Sequence, residues 1–316
     1  MTGPTIAKIG WDEADQRLDR WLRRRFGNLA QSHIERLCRK GLIRIDGKRA
    51  RASTRLVEGQ SLRLPLMEDA PGRDSARDES SSDAGNDRLI AERILFQDEF
   101  LVAIDKPSGL AVQGGTGQHR HIDRMTDGLS LSGGERPRLV HRLDKDTSGV
   151  LVLARTRRAS SALARLFAHG DLHKVYWAVV AGCPAEPAGT ISSRAGPSRR
   201  PARTNYAVLD TVADRLALVA LNPLTGRTHQ LRDHMAQLGT PVVGDRKYGV
   251  GGRSGQTIGG LDNRLHLHAR ELSFGHPFTG KDMHFRAPLP AHMDRSLALL
   301  GWREDRHAAD PFADNS

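Results

Sequence analysis

The stretch HRLDKDTSGVLVLAR, residues 141 to 155, decides the fold of the larger part of this chain. Its second half, Val150 to Ala154, is an unbroken aliphatic run of the kind that forms a buried strand. Its first half places one carboxylate, Asp144, between Arg142 and Lys145. The pattern therefore predicts an acid at the mouth of a strand. Taken alone, that acid belongs either to a mixed-charge surface loop or to a reactive site.

HRLD followed by TSG and an aliphatic run is similar to the catalytic motif of the RluA/RluC/RluD group of RNA pseudouridine synthases. The resemblance implies that Asp144 is the catalytic acid and that the neighbouring Arg142 braces the gap that the displaced base leaves. It also implies a reaction without cofactor or metal. The order of the motifs along the chain most resembles the RluC-type enzymes, which act on the large ribosomal subunit.

The turn at Lys106-Pro107-Ser108-Gly109 follows an apolar strand expected at 100–105. It resembles the element that lies just before the catalytic loop in the same family. We expect Lys106 to reach a phosphate of the substrate, although most KPSG strings are plain turns.

The segment HKVYWAVV, residues 173 to 180, is similar to the family's K-x-Y-x-A-x-V motif. The resemblance implies that the ring of Tyr176 packs on the target uracil, with its hydroxyl near the acid. An aromatic face suits a displaced base, because stacking contributes about 1–3 kcal/mol per base. Without the resemblance, a tyrosine in a strand is more often a packing residue.

The segment PLTGRTHQLRDH, residues 223 to 234, predicts a helix that Thr228 caps and whose buried stripe includes Leu231 and Met235. It is similar to the family's GRTHQxR motif. The resemblance implies that Arg232 pairs with the catalytic acid and stabilises the carboxylate. We assign Arg227 to substrate binding.

Relatives usually carry an aliphatic residue where this chain has Asp233, so an extra negative charge stands beside Arg232. Further on, RLHLHA at 264–269 looks like the family's LxLHA element, whose aliphatic residue lines the uracil pocket. We take Leu267 for that role, with Leu265 as the alternative. The histidines at 229, 234, 266 and 268 have loose spacings and no cysteine among them, so we expect no metal site.

The net charge of +11 is concentrated near the N-terminus. Residues 16–63 hold fourteen Lys and Arg against four acids. Two short helices and the turn GLIRIDGKRA in this segment resemble the small α-L RNA-binding domain, shared with a small-subunit ribosomal protein. We expect its basic residues to bind RNA phosphates: Arg17, Arg20, Arg36, Arg39, Lys40, Arg44 and Lys48.

Five segments are predicted along the chain. They are an N-terminal extension at 1–15, the α-L domain at 16–66, a disordered acidic linker at 67–88, a catalytic domain at 89–302 and a frayed tail at 303–316. The linker is rich in Ser, Asp and Gly and lacks aliphatic periodicity. In the catalytic domain, strands are neither regularly interleaved with helices nor all at hairpin spacing. This favours an α+β fold on a mixed, largely antiparallel β-sheet flanked by helices.

Composition narrows the function further. No apolar run approaches the roughly 18 residues of a membrane span, the N-terminus lacks the apolar core of a signal peptide, and Cys38 and Cys183 are too few for a disulfide framework. We expect a cytoplasmic monomer whose partner is large-subunit ribosomal RNA or an assembling ribosomal particle.

Three alternatives remain open. An RluD-type synthase would act on other uridines, a non-catalytic ribosome-assembly factor would share the basic domain, and a nucleoside or glycoside hydrolase would usually show a second catalytic carboxylate.

Overall fold

The computed structural model divides the chain into two compact units, 1–79 and 80–316. The residues that it describes are 5–9, 16–27, 29–65, 89–114, 120–126, 129, 136–195, 200–249, 260–307 and 309–313. The expected acidic linker, 67–88, lies outside the described residues. No helix in the described part of the chain is long and apolar enough to cross a membrane.

The smaller unit packs two helices and a four-stranded antiparallel sheet around one core. Its strands are β1 (Thr5–Lys8), β2 (Arg44–Ile45), β3 (Lys48–Arg49) and β4 (Ser61–Leu64), in the order β1-β4-β2-β3. Its helices are α1 (Leu18–Phe26) and α2 (Gln31–Arg39). Because β1 pairs with β4 along its whole length, residues 5–8 belong to this domain. The prediction that 1–15 is a separate extension is wrong for them.

The helices of the smaller unit bury the side chains that their periodicity predicts. Leu18, Trp21 and Leu22 of α1 and Ile34 and Leu37 of α2 enter the core. The Asp46-Gly47 turn between β2 and β3 has positive φ at both residues, 48° and 75°, as a tight hairpin requires. Helix α2 begins at Gln31, with Ala30 at its N-cap position and no side-chain cap.

The larger unit is built on one ten-stranded sheet. Its strands are β5 (Ile94–Gln97), β6 (Leu101–Lys106), β7 (Arg138–Leu139), β8 (Ser148–Ala154), β9 (His173–Ala181), β10 (Ala188–Ala195), β11 (Arg200–Val212), β12 (Leu216–Pro223), β13 (Leu267–Gly275) and β14 (Asp282–Arg286).

The sheet order is β10-β11-β12-β9-β13-β8-β6-β5, with β14 paired to β13 and β7 to β8. Every pairing is antiparallel except the short contact of β13 with β8, where His268 lies opposite Ser148 and Ala269 opposite Gly149. The predicted mixed, largely antiparallel sheet is therefore confirmed. The run from Val150 to Ala154 is fully buried in β8, as its aliphatic character requires.

Helices cover both faces of the large sheet: α3 (Arg157–His169), α4 (Gln230–Gln237) and α5 (Ala291–Leu299). On one face Met235 of α4 packs against Val180 and Val219, and on the other Met293 of α5 packs against Val179 and Leu218. Both β9 and β12 carry continuous apolar runs. Because successive side chains of a strand point to opposite faces, each strand contributes to the core on both sides of the sheet.

The C-terminal segment is packed rather than frayed. Residues 304–307 form a turn of 3-10 helix, and Phe312 is buried in the core beneath α5, with Trp302 in the same cluster. The Asp310 carboxylate also lies 2.6 Å from the ring of His173 on β9. The prediction of a frayed tail is therefore wrong for 303–307 and 309–313, and the catalytic domain extends beyond 302. An aromatic side chain so near a chain terminus has no periodic neighbours that would reveal its burial in the sequence.

Candidate active site

A cavity of about 270 Å³ lies at the ends of β8 and β9, beside the N-terminus of α4. Asp144, Tyr176, Arg232, Arg142, Arg227 and Leu267 all line it. The structure thus brings together six of the seven residues that the sequence assigns to catalysis and substrate binding. The seventh, Lys106, does not line it.

Lys106 holds the loop that carries Asp144 instead of facing the cavity. Its side chain is fully buried, and its ammonium donates hydrogen bonds to the carbonyls of Pro107, Leu110 and Lys145 at 2.9, 2.7 and 2.9 Å. These bonds use all three donors of a lysine. The expected phosphate contact is therefore wrong, and Lys106 positions the 142–147 loop.

Ser108 and Gly109 of the KPSG turn also form hydrogen bonds with the 142–147 loop. Ser108 Oγ donates to the carbonyl of Asp146 at 2.8 Å, and the Gly109 amide donates to the carbonyl of Lys145 at 3.0 Å. Two loops that are distant in sequence are thereby joined, and the carboxylate of Asp144 stands on a fixed backbone.

Glycine at position 149 lets β8 approach β13 next to this loop. Gly149 has φ 108°, and a Cβ there would lie 2.1 Å from the carbonyl oxygen of Ala269. Both the backbone conformation and the contact exclude any larger residue. The glycine of the TSG string, Gly149, is therefore what allows β8 and β13 to approach each other next to the site.

The ion pairs of Arg232 link two carboxylates. Its Nε and Nη2 donate to Asp245 at 2.6 and 2.7 Å, and its Nη1 lies 3.8 Å from Asp144 Oδ2. The predicted contact between Arg232 and Asp144 is present, but the tighter partner is Asp245. Burial alone would raise the pKa of Asp245. The hydrogen bonds from Arg232 and from the Tyr248 and Lys247 amides reverse this and bring that pKa below its ordinary value.

Asp233 leaves this arrangement undisturbed. In the described part of the chain, the ion pairs of Arg232 are with Asp245 and Asp144, and none is with Asp233. The charge that departs from the family pattern therefore does not compete for the guanidinium.

Tyr176 and Leu267 supply the apolar surfaces of the cavity. Tyr176 stands on β9 opposite Ala269 of β13. Burial, followed by the charge of Asp144, raises the pKa of Tyr176 far above its ordinary value, so the phenol stays protonated and can donate a hydrogen bond. Of the two leucines considered, both are buried in the core cluster beside α4, and Leu267 alone lines the cavity.

The loop before α4 has a conformation that the sequence did not reveal. His229 adopts a left-handed backbone, φ 58° and ψ 18°, and occupies the N-cap position, so Thr228 does not cap the helix as predicted. The side chain of Gln230 holds this loop: its Oε1 accepts from Thr225 Oγ1 at 2.7 Å and from the Arg227 amide at 3.1 Å. Its Nε2 also donates to the Arg203 carbonyl at 2.9 Å.

His229 belongs to the site, although the sequence suggested no role for it beyond an improbable metal ligand. Its Nε2 lies 3.9 Å from Asp144 Oδ1, while its Nδ1 lies 3.2 Å from Lys247 Nζ and 3.4 Å from the Tyr248 hydroxyl. Burial lowers the pKa of His229, against the attraction of Asp144. The imidazole is therefore mainly neutral at pH 7.

The other histidines considered as metal ligands have structural partners. His234 lies 2.8 Å from Ser193 Oγ and from Thr204 Oγ1, and His266 Nε2 lies 2.8 Å from Ser296 Oγ. His268 Nδ1 lies 2.9 Å from Ser148 Oγ. Within the described ranges, no group of three or more His, Cys, Asp or Glu is placed to hold a metal ion.

The basic residues assigned to RNA binding in the smaller unit differ in their surroundings. Arg20, Arg39, Lys40 and Lys48 are exposed. The other three also bind groups of their own unit: Arg17 pairs with Asp19 at 2.6 Å, Arg36 lies 2.8 Å from His33 Nδ1, and Arg44 donates to the carbonyls of Gly41 and Gly47.

Comparison with known proteins gives two family matches. The family of RNA pseudouridylate synthases matches residues 100–237, and the S4 domain family matches residues 16–62. These regions contain the cavity-lining residues described above except Leu267, and the two helices of the smaller unit.

Relatives match over nearly the whole chain. Ribosomal large subunit pseudouridine synthase C of Vibrio cholerae is 33% identical over 313 residues, 92% of this chain and 95% of the relative. The protein of the same name from Escherichia coli K12 is 34% identical over 93% of this chain and 96% of its own. Among solved structures, human RNA pseudouridylate synthase domain containing 4 is 30% identical, with a TM-score of 0.61, over 70% of this chain and 97% of its own.

Proposed function

The chain belongs to the RNA pseudouridylate synthase family, in the RluA/RluC/RluD group, and from that premise we propose that it converts uridines of large-subunit ribosomal RNA to pseudouridine with Asp144 as the catalytic carboxylate. The observation that carries the proposal is the position of Asp144. Its carboxylate lines a base-sized cavity, 3.8 Å from the guanidinium of Arg232 and close enough to Tyr176 to raise the pKa of that phenol.

The reaction breaks the bond between uracil N1 and ribose C1′ and joins C5 of the same base to that carbon. A carboxylate starts this either by attacking C1′, as the nucleophile of a retaining glycosidase does, or by removing the 2′ proton to give a glycal. Both routes need an ionised acid held still beside the sugar. The loop contacts of Lys106, Ser108 and Gly109 supply the rigidity, and Arg232 supplies the neighbouring positive charge.

The uracil must leave the RNA stack before it can enter the cavity. Tyr176 offers a ring for the base to lie against, and Leu267 covers it on another side. Arg142 is exposed beside Asp144 and can brace the RNA from which the base has turned out. Arg227 lines the cavity at the loop before α4 and can bind the phosphate of the same nucleotide.

The smaller unit supplies RNA affinity in this proposal. Its exposed basic residues suit the phosphate backbone, and the S4 family match covers the helices that carry several of them. We propose a monomer acting in the cytoplasm on ribosomal RNA or on an assembling particle. An assembly factor without catalysis would not need Asp144, Tyr176 and Arg232 around one cavity.

The test is to map pseudouridines in ribosomal RNA from cells with and without this gene, by chemical sequencing. Large-subunit sites that disappear with the gene, and that return when purified protein is added to the unmodified RNA, support the proposal. A map that is identical in the two strains, together with no product in vitro, would refute it.

A further inference from the structure

Lys174 is a second positive group of the cavity, at a position that no motif-derived role explains. It lies on β9 two residues before Tyr176 and lines the same cavity. Residues i and i+2 of a strand point to the same face and are about 7 Å apart. The ammonium of Lys174 therefore extends along the surface on which Tyr176 presents its ring.

The ammonium of Lys174 forms no ion pair with a carboxylate of the described residues. In the described ranges, no hydrogen bond or ion pair of this side chain is present, and the backbone carbonyl of Lys174 accepts from Asn222 at 3.0 Å. The buried lysine Lys106 is bound by three carbonyls, and Arg232 is bound by Asp245. Lys174 is half-buried, and withdrawing a cation even partly from water without such partners costs free energy, so a group from outside the protein is the partner that would offset this cost.

The cavity wall near Lys174 includes an uncharged imidazole. His141, which stacks on Phe167 at 4.1 Å between ring centroids, also lines the cavity. Burial, and then the charge of Lys174, lowers the pKa of His141 to about 3, so this imidazole carries no charge at pH 7. Burial likewise lowers the pKa of Lys174, with no carboxylate opposing it. By contrast, the charge of Asp144 reaches Tyr176. The lining of the cavity thus combines the carboxylate of Asp144 with the cation of Lys174, whose side chain has no ion pair or hydrogen bond with a described residue.

We propose that the ammonium of Lys174 binds the carbonyl edge of the target uracil and stabilises the base as an anion while it is detached from the sugar. This inference rests on the proposed function. When the C1′–N1 bond breaks, both electrons leave with N1, and the negative charge spreads onto O2 and O4. Lys174 donates hydrogen bonds to that charge and transfers no proton. C5 then supplies the electron pair for the new bond to C1′, loses its proton, and N1 gains one.

A flexible lysine suits this task because the base must turn before C5 can bond. Three donors on a rotatable stem can follow an oxygen that moves, whereas a rigid fork fits one orientation. The same contact selects uracil over cytosine. Cytosine presents an amino donor where uracil presents O4. That amino group and the ammonium of Lys174 would then face each other, and neither would have an acceptor.

The experiment compares Lys174→Met with the wild type and with the control Lys281→Met, whose lysine is exposed and does not line the cavity. RNA affinity, the single-turnover rate of pseudouridine formation and the melting temperature are measured for each. We expect Lys174→Met to bind RNA within about threefold of wild type and to react about 100-fold more slowly, the usual effect of losing one donor to a developing negative charge. Its melting temperature should be unchanged or higher, since a desolvated unpaired charge is removed.

A single-turnover rate within about threefold of wild type would overturn the inference. Weaker RNA binding with a normal rate would also overturn it, because Lys174 would then bind a phosphate. A lower melting temperature with a parallel loss of RNA binding would assign Lys174 to structure alone. If the wild type itself forms no pseudouridine, the proposed function fails, and that result is distinct from each of these.

A competitor RNA with cytidine in place of the target uridine gives an independent reading. Wild type should bind the uridine RNA in preference to the cytidine RNA, and Lys174→Gln and Lys174→Met should lose most of that preference. A residue that only supports the fold would leave the ratio of the two affinities unchanged, and an unchanged ratio would contradict the inference.

Discussion

The guanidinium of Arg232 is held by Asp245 through two hydrogen bonds of 2.6 and 2.7 Å and lies 3.8 Å from the carboxylate of Asp144. Asp245 is completely buried and also accepts the amides of Lys247 and Tyr248. The position of the arginine is therefore set by Asp245. Asp144 is left with oxygen atoms that face the cavity rather than a bidentate partner.

Asp245→Asn should reduce both stability and turnover. Losing one member of a buried ion pair typically costs about 3–5 kcal/mol, because the remaining charge is left without its partner. Arg232 would also lose the orientation that brings it to Asp144. Thermal unfolding and single-turnover rates check this, with Asp233→Asn, next to Arg232 on α4, as the control. Asp233→Asn with losses as large as those of Asp245→Asn would show that the pairing with Asp245 is not the cause.

Asp144→Asn should abolish pseudouridine formation while RNA affinity stays within about tenfold, because an acid that performs chemistry contributes little to binding. The matched control is Asp146→Asn, two residues further along the same loop, where the side chain is exposed and only the carbonyl makes a loop contact. Product can be counted by mass spectrometry of digested RNA. Turnover above a few per cent of wild type in Asp144→Asn would remove this residue from the chemistry.

Lys106→Met should slow the reaction without weakening RNA binding. The three carbonyls that Lys106 binds would lose their donor, so the loop carrying Asp144 would be less firmly held. Lys145→Met is the control, since that side chain is exposed and only its carbonyl takes part. The two rates are compared at saturating RNA. A large rise in the dissociation constant for RNA would instead restore the phosphate contact expected from the sequence.

Much of this site could be predicted because its motifs are contiguous in sequence. The aliphatic run after Asp144 identifies a buried strand, and the resemblance to a known family places Tyr176 and Arg232 beside the acid. The structure brings them to one cavity as expected. Leu267, which the sequence did not distinguish from Leu265, is selected by its place on that cavity.

The errors concern contacts between distant segments. The sequence predicts that Lys106 is exposed and binds a phosphate, because a lysine at the end of a strand is usually solvated. The fold instead places three backbone carbonyls around its ammonium. The sequence does not reveal Asp245 because its partner is thirteen residues away, although its place just after the apolar Pro241-Val242-Val243 and Gly244 is consistent with burial. The pairing of β1 with β4 depends on partners about 55 residues away, and the contact of Asp310 with His173 joins residues 137 positions apart, so local periodicity could not show them.

Protonation of its buried histidines should destabilise the catalytic domain as the pH falls below about 6.5. Burial lowers the pKa of His141 and His268 to about 3 and that of His266 to about 4. The unfolded chain binds these protons near pH 6.5. Between about pH 6.5 and 4 it therefore holds more protons than the folded protein, and stability falls as pH falls, by up to ~1.4 kcal/mol per pH unit for each histidine.

Unfolding by denaturant at a series of pH values from 7.5 to 4.5 measures this slope. His141→Gln should reduce it by about one histidine's share. Equal slopes in wild type and His141→Gln would mean that His141 is not buried neutral in solution.

Deleting residues 1–66 should separate RNA affinity from chemistry. The two units each have their own core, so the remaining unit should stay folded. Residues 16–63 carry an excess of ten positive charges and none of the cavity residues. The truncated protein should therefore bind ribosomal RNA more weakly and retain turnover on a short stem-loop at high concentration. Its dissociation constant should also depend less on salt, because each lost phosphate contact reduces the log–log slope by about 0.9 for duplex or 0.7 for single strands.

A full-length variant separates the effect of the basic charges from the effect of losing the smaller unit. In it Arg39, Lys40 and Lys48 are all changed to Gln, since these exposed side chains can be altered without disturbing the core of that unit. We expect its salt slope to fall by about two to three units in duplex RNA if each residue contacts one phosphate. Its single-turnover rate at saturating RNA should equal that of wild type, since none of the three lines the cavity. An unchanged affinity and slope in both the variant and the truncated protein would mean that the basic residues form only a solvated surface, and that the larger unit captures RNA by itself.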